Sequence, residues 1–130
     1  MNLLASGIAS MHDDLAAYAA EAVVFVQPGA AEVPKGTPPA DLRIETSALV
    51  GRTIFRQVAS SGVDIRTETR DFVFRAADLA VEPRRGDRVE WGGRKWEVWG
   101  AGGEPAWRWS DPQHAALRVH TKIVLGGRQQ

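Results

Sequence analysis

Residues 86–125 read GDRVEWGGRKWEVWGAGGEPAWRWSDPQHAALRVHTKIVL and hold all five tryptophans of the chain. Arg88 to Trp91 and Lys95 to Trp99 are short alternating runs that meet at Gly92-Gly93. A glycine pair tolerates the positive φ that a two-residue hairpin turn demands, so the two runs read as an antiparallel hairpin. Its pleat turns Trp96 and Val98 inward and leaves Trp99 in phase with Lys95 and Glu97. The closing run, Leu117 to Leu125, places Leu117, Val119, Thr121, Ile123 and Leu125 on one face and Arg118, His120 and Lys122 on the other. That is a half-buried strand with a basic outer side. Between hairpin and closing strand lies a loop rich in glycine and tryptophan. The stretch suits a β-scaffold that displays a loop.

Upstream, the periodicities are shorter. Leu4, Ile8, Met11, Leu15, Tyr18 and Ala19 recur at three- and four-residue steps, which predicts a helix over residues 1–22, from about Leu3 to Ala22. Asp13 and Asp14 suit the positive end of such a helix if its stable part begins at Ser10 or His12. Val23-Val24-Phe25-Val26 is a short strand stopped by Pro28-Gly29. Residues 27–40 contain Pro28, Pro34, Pro38 and Pro39. No packed element survives that proline density, so the segment reads as a loop or mobile arm. Leu42 to Glu45 opens a strand, and Ala48 to Val58 is either another strand or the same one broken at Gly51. Val63 to Arg70 alternates apolar or threonine with charge. The apolar phase then shifts at Phe72 and Phe74, for which a β-bulge near Arg70-Asp71 is the preferred account and a chain reversal the alternative. Arg75 to Pro83 reads as a linker or single helical turn with Leu79 or Val81 tucked inward, and residues 126–130 as a frayed end.

The expected architecture is mainly β. It is a small barrel or sandwich of five to seven strands with one N-terminal helix, in one domain of 130 residues whose β-scaffold spans 41–125.

Composition narrows the functional classes. Sixteen basic and sixteen acidic residues cancel, so the field of a general nucleic-acid binder is missing. Residues 1–40, 41–83 and 84–130 carry −3, −1 and +4, and unlike ends suit head-to-tail docking of copies. The absence of cysteine excludes thiolate chemistry and disulfides, and fits a reducing compartment. No apolar run approaches the roughly 20 residues that cross a bilayer. A soluble protein made in the cytoplasm is the expectation.

Candidate chemistry is thin. His12-Asp13-Asp14 holds ligand types, but consecutive helical residues diverge by about 100° and cannot converge on one ion. His114 and His120 lack companions at metal-ligand spacing. Ser110, Asp111 and His114 contain the residue types of a hydrolytic triad without a nucleophile elbow around the serine. Asp111-Pro112 reads instead as a turn in which the aspartate bonds its own backbone. Gly100-Ala101-Gly102-Gly103 lacks the Lys-Ser/Thr of a phosphate loop and suits a bend or a close backbone approach. Trp107 and Trp109 share a face; they either close a barrel mouth as core or, with Arg108, form an interface. Stacking of single-stranded nucleic acid on that pair is a further possibility, opposed by the neutral charge. The candidate interface set is Trp99, Trp107, Arg108, Trp109, Arg118, His120 and Lys122. No catalytic, cofactor-binding or metal-binding residue is assigned.

Gly86-Asp87-Arg88-Val89, the return strand Trp96-Glu97-Val98, the loop Gly102 to Pro112 and the closing Leu117-Arg118-Val119-His120-Thr121-Lys122 together form a pattern. It resembles the small head–tail joining (head-completion or neck) proteins of tailed bacteriophages and prophages, the group that includes the lambda attachment protein. The resemblance is clearest over residues 63–124. It implies a non-enzymatic virion part without cofactor, made in the host bacterial cytoplasm. Several copies would form a ring between portal and tail, with DNA passing as cargo through the middle. Minor tail or tail-completion proteins of the same virion, and a small nucleic-acid-binding barrel, are the alternative readings.

Overall fold

The computed structural model describes residues 20–60, 63–100 and 102–125. Eight antiparallel strands occur among them: β1 (Glu21–Gln27), β2 (Leu42–Val50), β3 (Ile54–Ser60), β4 (Val63–Arg75), β5 (Arg88–Trp91), β6 (Arg94–Val98), β7 (Trp107–Trp109) and β8 (Ala116–Ile123). Six of these close a barrel in the order β4-β2-β1-β5-β6-β8, sealed by pairing of β4 with β8 from Thr69↔Lys122 to Arg75↔Ala116. Closure removes the free edges that an open sheet of this size would expose. β3 adds to β4 alone and β7 to β8 alone. The mainly β expectation holds, as a barrel, with one strand more than foreseen.

The expected N-terminal helix lies outside the described residues except at its end. Glu21 and Ala22, assigned to it, instead pair with Ala48 and Ser47 as the start of β1. Gln27, placed in the arm, is the last residue of β1 and is buried. Its amide Nε2 donates to the Glu82 carbonyl (2.8 Å) and to Asp87 Oδ2 (3.0 Å). Asp87 is also buried and accepts from the Arg84 backbone N–H at 2.7 Å. Gln27 and Asp87 thereby partner each other inside the barrel end, which offsets the cost of burying them.

The hairpin forms as its sequence dictates. Gly92 and Gly93 both have positive φ, at 64° and 75°, and Val89 pairs with Trp96. Trp96 and Val98 are buried, at 1% and 0% exposure. On β8 the alternation is equally regular: Leu117, Val119, Thr121 and Ile123 are buried, and the residues between them are half-buried. Leu125, expected on that inner face, lies past the strand end and is exposed. Phe25, Phe72, Phe74 and Val89 complete the centre of the core. Phe25 meets Phe74 edge-to-face at 5.8 Å, and Phe72 meets Trp96 at 6.1 Å, the geometry that aromatic quadrupoles favour.

The bulge exists, but on the partner strand. β4 keeps one register along β3 and along β8. Between Val50↔Phe72 and Ile54↔Thr69, three residues on the β2–β3 side face two on β4. The extra residue falls at 51–53, where the Gly51 N–H donates to the Asp71 carbonyl at 2.8 Å. A Cβ on Gly51 would stand 3.0 Å from that oxygen, so glycine suits the approach. The phase change at Phe72 has a different cause. β4 leaves the barrel below Thr69 and continues only as a two-stranded ribbon with β3, where no interior remains to dictate parity. Ile54 and Phe55 on that ribbon are exposed.

The barrel has two poles. One carries Arg70, Trp91 and the Gly-Gly turn. Arg70 lies over the rings of Trp91 (4.8 Å) and Trp96 (5.2 Å) and donates to the Gly51 carbonyl and the Thr53 hydroxyl. The other pole carries residues 28–41, a single 3-10 turn (Ala76–Asp78) and the loop around β7. As expected of the 75–83 segment, Leu79 is buried and Val81 packs on the core beside it.

Candidate functional site

At the second pole, β7 lies on the same edge of β8 as β6. Val98 pairs with Thr121, then Trp107 with Val119 and Trp109 with Leu117. Residues 99–106 are an excursion between two parts of one ladder. It is fastened at both ends to His120, whose carbonyl accepts from the Trp99 N–H (2.9 Å) and whose N–H donates to the Ala106 carbonyl (2.9 Å). Gly100 allows the fold-back: a Cβ there would lie 2.3 Å from the Glu104 carbonyl oxygen. Close backbone approach is thus the role of Gly100, while Gly102, with φ of 56° and open space around it, serves the bend.

β7 is only three residues long, and the turn after it supplies its rigidity. The Asp111 carboxylate, buried, accepts from the N–H groups of Gln113 (3.1 Å), Ala115 (3.0 Å) and Ala116 (2.9 Å). This is the self-bonded aspartate turn that Asp111-Pro112 signals. Its carboxylate is committed to backbone donors. His114, with φ of 60°, lies flat on Trp109, ring centres 4.3 Å apart and planes 4° from parallel. Ser110, Asp111 and His114 therefore form a turn and a ring stack, not a charge-relay geometry.

The pleat divides the seven candidate residues. Trp107 and Trp109 take the inner phase of β8 and meet edge-to-face at 5.2 Å. Trp107 is half-buried and packs on the core, whereas Trp109 is 37% exposed. Trp107 thus sits as core at the barrel mouth, while its neighbour keeps part of its indole exposed. With Leu79, Val81, Glu82 and Leu117 they line an apolar pocket of about 360 Å³.

Arg108, Arg118, His120, Lys122 and Trp99 belong to the outer side. Arg108 stands directly opposite Arg118. Lys122 Nζ lies 5.1 Å from the Trp99 ring centre, a cation–π contact. The basic character of this strand is offset by Asp71, which sequence reading passed over. Arg118 Nη1 lies 3.3 Å from Asp71 Oδ2, and His120 Nδ1–H donates to Asp71 Oδ1 at 2.9 Å. Burial by itself would raise the Asp71 carboxyl. The hydrogen bond and charge of His120, then those of Arg118, outweigh it and hold the group below the usual carboxylate range. No signal local to Asp71 could have revealed this, because its partners lie 47 and 49 positions away.

The proline arm leaves the same pole as the Trp107–Trp109 pocket, since Gln27 at the end of β1 bonds the carbonyl of Glu82, a pocket residue. Two bonds close its base, from the Ala31 N–H to the Ala40 carbonyl (3.0 Å) and from the Gly29 N–H to Asp41 Oδ1 (3.2 Å). Residues 32–41 are exposed throughout.

His12, Asp13 and Asp14 lie outside the described residues. Among the described residues no three His, Asp or Glu side chains group as a metal site, and no helix is long and apolar enough to cross a membrane. A protein-family model described as phage head-tail joining protein matches residues 1–126. No curated protein matches the chain.

Proposed function

This chain belongs to the phage head-tail joining protein family, a structural and non-enzymatic group, and from that membership we propose that it is a neck subunit joining portal to tail. Several copies form a ring around the DNA channel, with DNA passing as cargo. The protein is made in the host bacterial cytoplasm and ends in the virion. The observation that carries this reading is the family match over nearly the whole chain.

The architecture supports it. A closed barrel fixes the positions of its loops, and loops on a rigid scaffold are where contacts are placed. The arm at 28–41 and the turn-braced β7 emerge together at one pole. Trp109, with Arg108 beside it, supplies residue types that dominate interface energetics. Ordering an arm costs about 1–2 kcal/mol per residue in backbone entropy, so such contacts hold firmly only when many copies engage together. The nucleic-acid-binding alternative is weaker, because Asp71 offsets the basic strand and Trp107 and Trp109 stand edge-to-face instead of forming two parallel stacking platforms.

The test is a phage lacking this gene. Filled heads and complete tails should accumulate apart, and added purified protein should join them. Infectious particles assembled normally in its absence would end the proposal.

A further inference from the structure

We propose that the proline-rich arm of one copy, residues 31–40, seats in the Trp107–Trp109 pocket of the next copy around the ring. The proposal rests on the ring reading above and names the contact that would build it. The pocket is lined by two indoles and by aliphatic side chains, with a single carboxylate, Glu82, among its lining residues. Grooves of that kind recognise proline-rich segments, whose ring-restricted backbone loses little entropy on docking.

The arm has the matching chemistry. Val33-Pro34 and Thr37-Pro38-Pro39 present apolar rings and a branched side chain, and Val33 is 37% exposed. The Thr37 N–H donates to the Pro34 carbonyl at 3.0 Å and Gly36 has φ of 87°, so Pro34 to Thr37 form a turn. Lys35 lies between the two proline groups. Among the described residues neither Lys35 nor Glu82 has an ion-pair partner, so each charge is available to the other. The arm's exposure from residue 32 to 41 shows that it does not cover its own molecule's pocket. One arm and one pocket per copy, engaged head to tail, make a heterologous contact, which closes into a ring where the rotation between copies allows.

The probe is a synthetic peptide of residues 31–40, titrated into the full-length protein and followed by backbone amide shifts. The expected result is saturable shifts at Leu79, Val81, Trp107 and Trp109. Binding should fall at least tenfold in Trp109→Ala, as hot-spot truncations do. It should fall about two- to fivefold in Glu82→Lys, the weight of an exposed ion pair, and recover when the peptide carries Lys35→Glu. Shifts confined to other surfaces, no shifts at millimolar peptide, or a charge reversal that fails to recover would overturn the proposal.

A second measurement uses the absence of native cysteine. Lys35→Cys and Glu82→Cys proteins of different mass, mixed and assembled on heads, should give the mixed disulfide on oxidation. Joined particles that yield none would overturn the seating and leave the joining function standing. Heads and tails that join without the protein would overturn the function, while the peptide titration would still decide the pocket's occupant.

Discussion

Replacing Arg70 tests the claim that one cation fastens the pole where the bulged β2–β3 segment meets the barrel. Its guanidinium spans the Trp91 and Trp96 rings and donates to the Gly51 carbonyl and the Thr53 hydroxyl. The side chain is 16% exposed. A desolvated cation–π contact is worth up to about 2 kcal/mol, and a hydrogen bond from a charged donor about 1.5–3 kcal/mol. Against these stand the desolvation of the charge and of Nε, a buried donor without a protein partner. A net loss of about 2–3 kcal/mol is expected for Arg70→Ala, which lowers Tm by roughly 10 °C in a chain of this size. Urea unfolding followed by tryptophan fluorescence and by far-ultraviolet dichroism should show a lower midpoint with unchanged slope. Arg70→Lys keeps the charge but loses the planar fork, so it should recover only part of the loss. Arg70→Met keeps most of the stem packing and removes every donor. If Arg70→Met unfolds at the wild-type midpoint, the side chain serves as filler and the electrostatic account is wrong.

Three further outcomes follow from the geometry. Asp111→Ala removes the acceptor of three backbone donors and should cost about 2–3 kcal/mol, with loss of the near-ultraviolet dichroism contributed by the Trp109–His114 stack; Asp111→Asn should lose less. Gly100→Ala places a methyl against the Glu104 and Pro105 carbonyls, so hydrogen exchange at the His120 and Trp99 amides should quicken as the 99–106 excursion is pushed off β8. Because the Asp71 carboxyl is depressed in the folded state, its stabilisation is complete above the ordinary aspartate range near pH 4. It is lost as pH falls through the lower folded value. Asp71→Asn should therefore be less stable than wild type at neutral pH, and the two stability curves should converge in strong acid.

What could be read in the sequence was whatever the two-residue pleat governs. Trp96, Val98 and the inner face of β8 are buried as the alternation demands. The glycine pair turns the hairpin, and Asp111 caps its own loop. What failed needed knowledge of partners far along the chain. Phe72 and Val63 fall out of phase not because β4 is bulged but because the barrel ends at Thr69. The one-residue excess sits at 51–53, where Gly51 was legible as a break and its register against β4 was not. Asp71 was invisible for the same reason: it acts on β8 only once β4 and β8 close the barrel.

That long-range closure also decides which of the candidate residues can offer new contacts. Arg118 and His120 are already engaged by Asp71, and Lys122 by the Trp99 ring. A partner that recruited these groups would have to match interactions it displaced, and the gain would be a small difference between similar terms. Trp109, Glu82 and Lys35 stand differently. The exposed part of an indole 37% exposed and two charges without ion-pair partners among the described residues exchange only water when a neighbour arrives. Interface energy concentrates where apolar surface is freshly desolvated beside a few polar groups. The proline-arm pole meets that condition, and the outer strand with its satisfied charges does not.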